Sequence, residues 1–205
     1  TQLQSWFPTH SLPQLDERVV RLQELGSVLE EDYGGLAINM AAAADGSGEK
    51  LVRLVIEKVP GFRDTTIYKG RVVHFYKRAQ ILTSDLWAAY GRLTDRSHPC
   101  AFSDMEGMTM FADYRVPQIL RSLGVMEYSD TLAKKIDAHD EIPFGSEEET
   151  EIRAATVVAV EKIRAALEKR GMKLLDIECD WVLWNQGELK RHEIAPHHRT
   201  LTIYY

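Results

Sequence analysis

Hydrophobic residues recur every three or four positions through most of the chain, which is the spacing of one face of an α-helix. The first such series is Leu15, Val19, Leu22, Leu25 and Leu29. It predicts a helix within residues 12–32, with Pro13 tolerated in the first turn and Gly34 and Gly35 ending it. The same spacing predicts further helices at about 51–59, 75–90, 114–123, 129–136, 147–170 and 174–184.

Three segments lack this spacing. Two β-branched runs flank Lys69-Gly70 within residues 65–73, a pattern typical of a short β-hairpin. The Ala-, Gly- and Ser-rich segment 39–48 predicts a loop, and the tail after Gly187 is irregular. With no internal repeat, residues 1–205 are expected to form a single compact, mostly α-helical unit with at most a short β-hairpin.

Ser129 is placed to cap the helix that follows it, and Ser146 with Glu149 has the spacing of a capping box for the longest helix. Glu151 and Arg153 open that helix and predict an internal ion pair. Trp181 and Trp184 lie one turn apart and are expected to belong to the core.

Composition restricts the function classes. The chain has 205 residues, 44% of them hydrophobic, and a formal net charge of −6, so long nucleic acid is a disfavoured partner. No apolar run approaches the roughly 20 residues that span a bilayer, which predicts no membrane partner. Cys100 and Cys179 lie far apart, which predicts buried, reduced thiols and a cytoplasmic location.

Asp113 is the first candidate for chemistry. It follows the apolar residues Met110, Phe111 and Ala112 and precedes an amphipathic helix. An acid at this place either caps the helix N-terminus or points into a pocket, and the position alone leaves both interpretations open. The chain places a lysine near the start of one helix, then a connection, then an acid before the next helix. This order is similar to that in helix-hairpin-helix DNA glycosylases. Their glycine-rich hairpin is absent, since only Gly107 precedes Asp113 in this stretch.

Four separated blocks resemble another family more closely, the queuosine salvage proteins, which are queuosine 5′-phosphate N-glycosylases. The blocks are FYKRAQIL at 75–82, TMFADYRVPQ at 109–118, EIR at 151–153, and the terminal HR and IYY within 198–205. The resemblance runs from about Leu15 to Tyr205. It implies a helical fold distantly like the DNA glycosylases and hydrolysis of queuosine 5′-phosphate to free queuine, without a cofactor. Family members usually carry a further N-terminal region, so either this chain lacks it or a second chain completes the pocket.

The resemblance also implies site residues. Asp113 would be the catalytic carboxylate beside the anomeric carbon, where the transition state resembles a sugar cation. Lys77 would either contact the phosphate or keep Asp113 ionised, and the sequence does not choose between these roles. The implied substrate-binding residues are Tyr76, Arg78, Phe111, Tyr114, Arg115, His197, Arg199 and Tyr205. Asp113, Lys77 and the tail from His197 to Tyr205 are expected to border one cavity.

Two other interpretations compete with this one. His192 and His197 are five residues apart with Pro196 between them, unlike a helical zinc pair, so we predict no metal. The alternative functions are a helix-hairpin-helix-like DNA repair glycosylase and a non-catalytic nucleotide-binding module. A DNA enzyme would show a basic stripe, and a non-catalytic module would show no dependence of activity on Asp113.

Overall fold

The structure, a computed structural model, describes residues 2–92 and 97–205. Within these residues the fold is mostly α-helical with one two-stranded antiparallel sheet, which confirms the predicted fold class. The α-helices are α1 (Gln2–Ser5), α2 (Leu15–Tyr33), α3 (Ala37–Ala43), α4 (Gly48–Lys58), α5 (Lys77–Leu86), α6 (Arg115–Ser122), α7 (Asp130–Asp137), α8 (Glu147–Glu168) and α9 (Asp176–Lys190). The strands are β1 (Thr65–Tyr68) and β2 (Arg71–His74). A search of the described helices for one with the length and apolarity of a bilayer span finds none.

Short helical turns complete the backbone. They are the 3-10 turns Pro60–Phe62 and Met105–Gly107 and the π-helical turn Trp87–Gly91 that continues α5. The hairpin turns at Lys69 and Gly70, whose φ angles of 48° and 78° suit the type I′ turn that joins two twisted strands. The predicted hairpin is therefore confirmed.

The predicted loop at 39–48 is wrong in its first half, which belongs to α3. Alanine has the highest intrinsic helix propensity, and here Met40 and Ala41 also bury against the core. The chain leaves helical structure only at 44–47 before Ser47 caps α4 by accepting a hydrogen bond from the Lys50 N–H. The last helix is also longer than predicted, since α9 continues past Gly187 to Lys190.

The predicted serine caps of α7 and α8 are confirmed, but the other half of the predicted capping box is not formed, because the Glu149 carboxylate accepts from the Gly145 N–H. The Ser129 hydroxyl accepts a hydrogen bond from the Leu132 N–H, and that of Ser146 accepts one from the Glu149 N–H. Such bonds stabilise helix starts by roughly 1 kcal/mol each. They fix where α8 begins, and hence which side chains of α8 face inward.

Two main hydrophobic clusters form the core. One joins α3 and α4 to the segment before α6, and the other lies where α6 packs against α8 and α9. Cys100 and Cys179 are both buried free thiols. Trp181 packs against the first cluster, but Trp184 is 39% exposed and the core prediction is wrong for it. The inward face of α9 runs through Leu183, and Trp184 is rotated about 100° from that position.

A buried ion network crosses between the clusters, centred on Arg153, which is 0% exposed. Its guanidinium donates to Asp64 Oδ1 at 2.9 Å and to Glu149 Oε1 at 3.4 Å, and its Nε donates to the Ala112 carbonyl at 3.1 Å. Glu151, two residues earlier, points outward and accepts a hydrogen bond from the Tyr68 hydroxyl. The predicted Glu151–Arg153 ion pair is therefore wrong, because residues two apart on a helix do not face each other.

Removing the Arg153 guanidinium should destabilise the fold strongly. The variant Arg153→Met fills similar volume but leaves two buried carboxylates uncompensated, which typically costs about 3–5 kcal/mol. Urea unfolding at neutral pH would measure the loss. The control is Arg53→Met, which removes an exposed pair with Glu49 on the surface of α4 and should leave the unfolding midpoint nearly unchanged. Equal midpoints for Arg153→Met and the parent chain would contradict the role given to the network.

Candidate active site

Two adjacent cavities, of about 630 Å³ and 320 Å³, lie beside the C-terminal tail. Gln14, Arg18, Thr202 and Tyr205 line both of them. The segment 197–205 therefore forms a shared wall between the larger and the smaller cavity. Backbone pairing holds this segment in place, since the Ile142 N–H donates to the Arg199 carbonyl at 2.8 Å.

The larger cavity combines an apolar wall with several cations. Apolar side chains from α2 and α5 line it together with Phe7 and Phe62. Its cationic lining residues are Arg18, Arg21, Lys77 and Arg78. The guanidinium of Arg78 is held 4.9 Å from the centre of the Phe62 ring, and burial lowers the pKa of Arg78. The combination suits a ligand with an aromatic part and an anionic part.

Lys77 is placed by the start of α5. Tyr76 precedes it with a left-handed φ of 48°, and the Lys77 N–H donates to Asp64 Oδ2 at 3.2 Å. The side chain lines the larger cavity although it is only 9% exposed. Burial lowers the pKa of Lys77, and the nearby charge of Asp113 opposes that shift. Among the described residues none accepts a hydrogen bond from its Nζ, so the ammonium is available to a ligand.

Asp113 is both a helix cap and a buried acid, so the two interpretations left open by the sequence are compatible. Its Oδ1 accepts hydrogen bonds from the Arg115 and Val116 N–H groups, each at 3.0 Å. The residue is 5% exposed, and this burial raises its pKa against the opposing effects of those bonds and of Lys77. Asp113 does not itself line either cavity. The expectation of one shared cavity is correct for Lys77 and residues 202–205, but residues 197–201 line only the smaller cavity and Asp113 lines neither.

Asp180, on α9, is a buried acid of the site that the sequence analysis missed. Its Oδ1 accepts a hydrogen bond from the Phe111 N–H at 3.1 Å. Burial and then the charge of Asp113 raise the pKa of Asp180 to about 8, while Lys77 opposes the shift. The available sequence signal was an acid three residues after Ile177, on the apolar face of its helix.

The tail carries its aromatic groups into this region. The Tyr205 hydroxyl donates to Glu149 Oε1 at 2.5 Å and lies 3.2 Å from His198 Nε2. His198 is buried, which lowers its pKa to about 3 and keeps the imidazole neutral. The ring centres of Tyr114 and His197 are 4.4 Å apart at the smaller cavity. The tail is therefore tied to α8 and to the segment that contains Asp113.

The remaining predicted site residues divide into two groups. Those that line one or both cavities are Lys77, Arg78, Tyr114, His197, Arg199 and Tyr205. Tyr76, Phe111 and Arg115 line neither cavity. Phe111 is core, the Tyr76 hydroxyl bonds to His74, and Arg115 pairs with Glu188 at 2.6 Å. These three therefore support neighbouring groups in this structure.

No group of three or more His, Cys, Asp or Glu side chains that could hold a metal ion is found in residues 2–92 and 97–205. His197 Nδ1 instead lies 2.6 Å from the His198 carbonyl oxygen.

Comparison with known proteins identifies the family of the chain. The family model described as queuosine salvage protein matches residues 1–205. A protein of Dictyostelium discoideum named queuosine 5′-phosphate N-glycosylase/hydrolase is 48% identical over 204 residues, which cover 99% of this chain and 62% of that protein. Proteins with the same name from Sphaerobacter thermophilus and Bos taurus are 46% and 39% identical, each covering 95% of this chain and 59% of the relative.

The chain thus spans about three fifths of the length of the curated relatives it matches. The match of the family model covers the whole chain, including Lys77, Asp113 and the terminal tyrosines. On this evidence the chain belongs to the queuosine salvage protein family.

Proposed function

We propose that this chain takes part in hydrolysing the N-glycosidic bond of queuosine 5′-phosphate, which releases queuine. The observation that carries the proposal is the buried Asp113, whose charge acts on Lys77, a residue that lines a cavity rich in arginine. The names of the relatives support the same reaction. A formal net charge of −6 disfavours the competing function on long DNA.

The chemistry requires negative charge near the sugar. Breaking a ribosyl C–N bond passes through a species like an oxocarbenium ion, and a carboxylate near the anomeric carbon stabilises it. We place the ribose against Lys77, the lining residue on which the charge of Asp113 acts. In the proposed reaction the carboxylate also orients the attacking water. Because its hydrogen bonds from two backbone N–H groups fix it, little reorganisation is needed during the reaction.

The leaving group sets a second requirement. A 7-deazaguanine base has carbon where guanine has N7, so protonation of that atom cannot assist departure. The base must therefore be stabilised at its other polar edges. Its ring can be held by the apolar and tyrosine-lined wall of the larger cavity.

The phosphate of the substrate needs cations, which Arg78 and Arg18 offer from the cavity wall. We assign Lys77 mainly to Asp113, because Asp113 exerts the largest attractive charge effect on it. A positive charge there keeps the carboxylate ionised despite its burial.

The proposal also includes a further protein segment beside the larger cavity and the cellular location of the chain. Trp6 and Phe7 at the cavity's α1 side are 65% and 44% exposed, which supports a further segment or a second chain that covers them. The two free, buried thiols support a cytoplasmic location.

Asp113→Asn should abolish most activity without unfolding the protein. Asn can accept the same two cap hydrogen bonds but lacks the charge that the sugar cation needs. We expect kcat to fall about 100- to 1000-fold, with a much smaller change in KM. The measurement is queuine release from queuosine 5′-phosphate.

A matched control is Asp104→Asn. Asp104 also accepts a backbone hydrogen bond at a helix start, from the Gly48 N–H at 2.6 Å, but it is only partly buried and is not among the acids whose charge acts on Lys77. It should keep near-normal activity. Near-normal queuine release by folded Asp113→Asn would mean that another carboxylate performs the reaction.

The pH profile should separate the two roles of Lys77. Burial raises the pKa of Asp113 above that of an ordinary aspartate. As the pH falls through this raised pKa, Asp113 becomes protonated and kcat should fall. Lys77→Met removes the charge that favours the ionised form, so this acidic limb should move to higher pH and kcat should fall more than KM rises. A phosphate contact would instead raise KM and leave the acidic limb in place.

Arg78→Gln should weaken binding of the phosphate. Losing one charge-assisted hydrogen bond should raise KM for the nucleotide about 10- to 100-fold. Hydrolysis of the nucleoside, which has no phosphate, should change little, and the exposed Arg53→Gln should change neither. Equal effects of Arg78→Gln on nucleotide and nucleoside would assign the phosphate to another cation.

A further inference from the structure

The buried charges around the site do not balance. Four carboxyl groups, each at most 5% exposed, lie in one region: Asp64, Asp113, Glu149 and Asp180. The described cations that face them from within are Arg153, on α8, and Lys77, on α5. Arg115, on α6, also faces Asp113, but its guanidinium pairs with Glu188. An ionised carboxylate without compensation is costly in a protein interior, so the four groups are not all ionised together.

The hydrogen bonds show which carboxyl is compensated least. Asp64 receives two guanidinium nitrogens of Arg153 and the Lys77 N–H. Glu149 receives Arg153, the Tyr205 hydroxyl and the Gly145 N–H.

Asp113 receives two backbone N–H groups, whereas within the described residues Asp180 receives a single one, from Phe111. A proton is therefore held most easily on Asp180.

The hydrogen bond that Asp180 accepts from the Phe111 N–H lies in the segment that leads to Asp113. Phe111 is two residues before Asp113, and the carbonyl of the intervening Ala112 accepts from Arg153. The backbone that delivers Asp113 is thus held from one side by α9 and from the other by α8.

We propose that Asp180 is a positioning residue that works in its protonated form, fixing the 111–112 backbone and leaving Asp113 as the ionised partner of Lys77. Its consequence for catalysis rests on the function proposed above. Burial and the charge of Asp113 raise the pKa of Asp180 to about 8, which agrees with a protonated Asp180. If Asp180 were ionised instead, it would compete with Asp113 for Lys77 and favour protonation of Asp113.

Two substitutions separate a neutral acid from a carboxylate. Asp180→Asn resembles the protonated acid and can still accept from the Phe111 N–H, so kcat near neutral pH should stay within about 3-fold of the parent chain. Asp180→Ala leaves that N–H unpaired and releases the backbone before Asp113, so kcat should fall roughly 10- to 100-fold with little change in KM. An equally large loss in both variants would overturn the proposal, and so would full activity of Asp180→Ala.

An infrared measurement tests the protonation state without any activity assay. At about pH 6 the parent chain should show the C=O stretch of a buried protonated carboxyl group that Asp180→Asn lacks, and the band should disappear as pH rises through about 8. The exposed Asp137→Asn should leave the band unchanged. Absence of the band in the parent chain would refute the proposal even if Asp180→Ala failed to fold. If queuine release were absent in the parent chain while the band behaved as expected, the proposed function would fail and the protonation of Asp180 would stand.

Discussion

The architecture of the site depends on one buried guanidinium, that of Arg153. It binds Asp64 from the segment before β1, Glu149 from the first turn of its own helix, and the Ala112 carbonyl from the segment before α6. Its centre also lies 3.9 Å from the middle of the Phe75 ring, where the π-face adds a further attraction. Four groups from separate segments of the chain therefore surround one planar cation. This explains why a fully buried charge is kept in a position where an apolar side chain would pack more cheaply.

Three groups of the proposed site, Lys77, Asp113 and Tyr205, are each linked to this cation through one intervening group. Asp64, held by Arg153, accepts the N–H of Lys77. The carbonyl held by Arg153 directly precedes Asp113. Glu149, the third partner, accepts the hydroxyl of Tyr205. The lysine, the acid and the tail come from three separate sequence blocks, and their common link to Arg153 fixes their relative positions.

Local features of the sequence were sufficient for the hairpin and for most of the helices, but not for α1 and α3. Ser146 and the Lys69-Gly70 turn act within a few residues, so their signals are visible without the fold. The network is different, because Arg153 reaches partners 41 and 89 residues away and no spacing rule relates them. For that reason the sequence pattern predicted an ion pair between Arg153 and Glu151 instead. The resemblance to a family supplied Lys77 and Asp113, but Asp180 carried only the faint signal of an acid on an apolar helix face.

Burial sets two opposing demands on the acid of this site. In a region of low polarity, a carboxylate stabilises a sugar cation far more strongly than it would in water, which favours a buried Asp113. The same environment raises its pKa and favours the neutral form, which has no such effect. Lys77 opposes that shift by its charge, and the two backbone N–H groups oppose it by their hydrogen bonds. A further ionised carboxylate on α9 would raise the pKa of Asp113 again and favour its neutral form. A neutral Asp180 is therefore the condition under which a deeply buried Asp113 can remain charged near neutral pH.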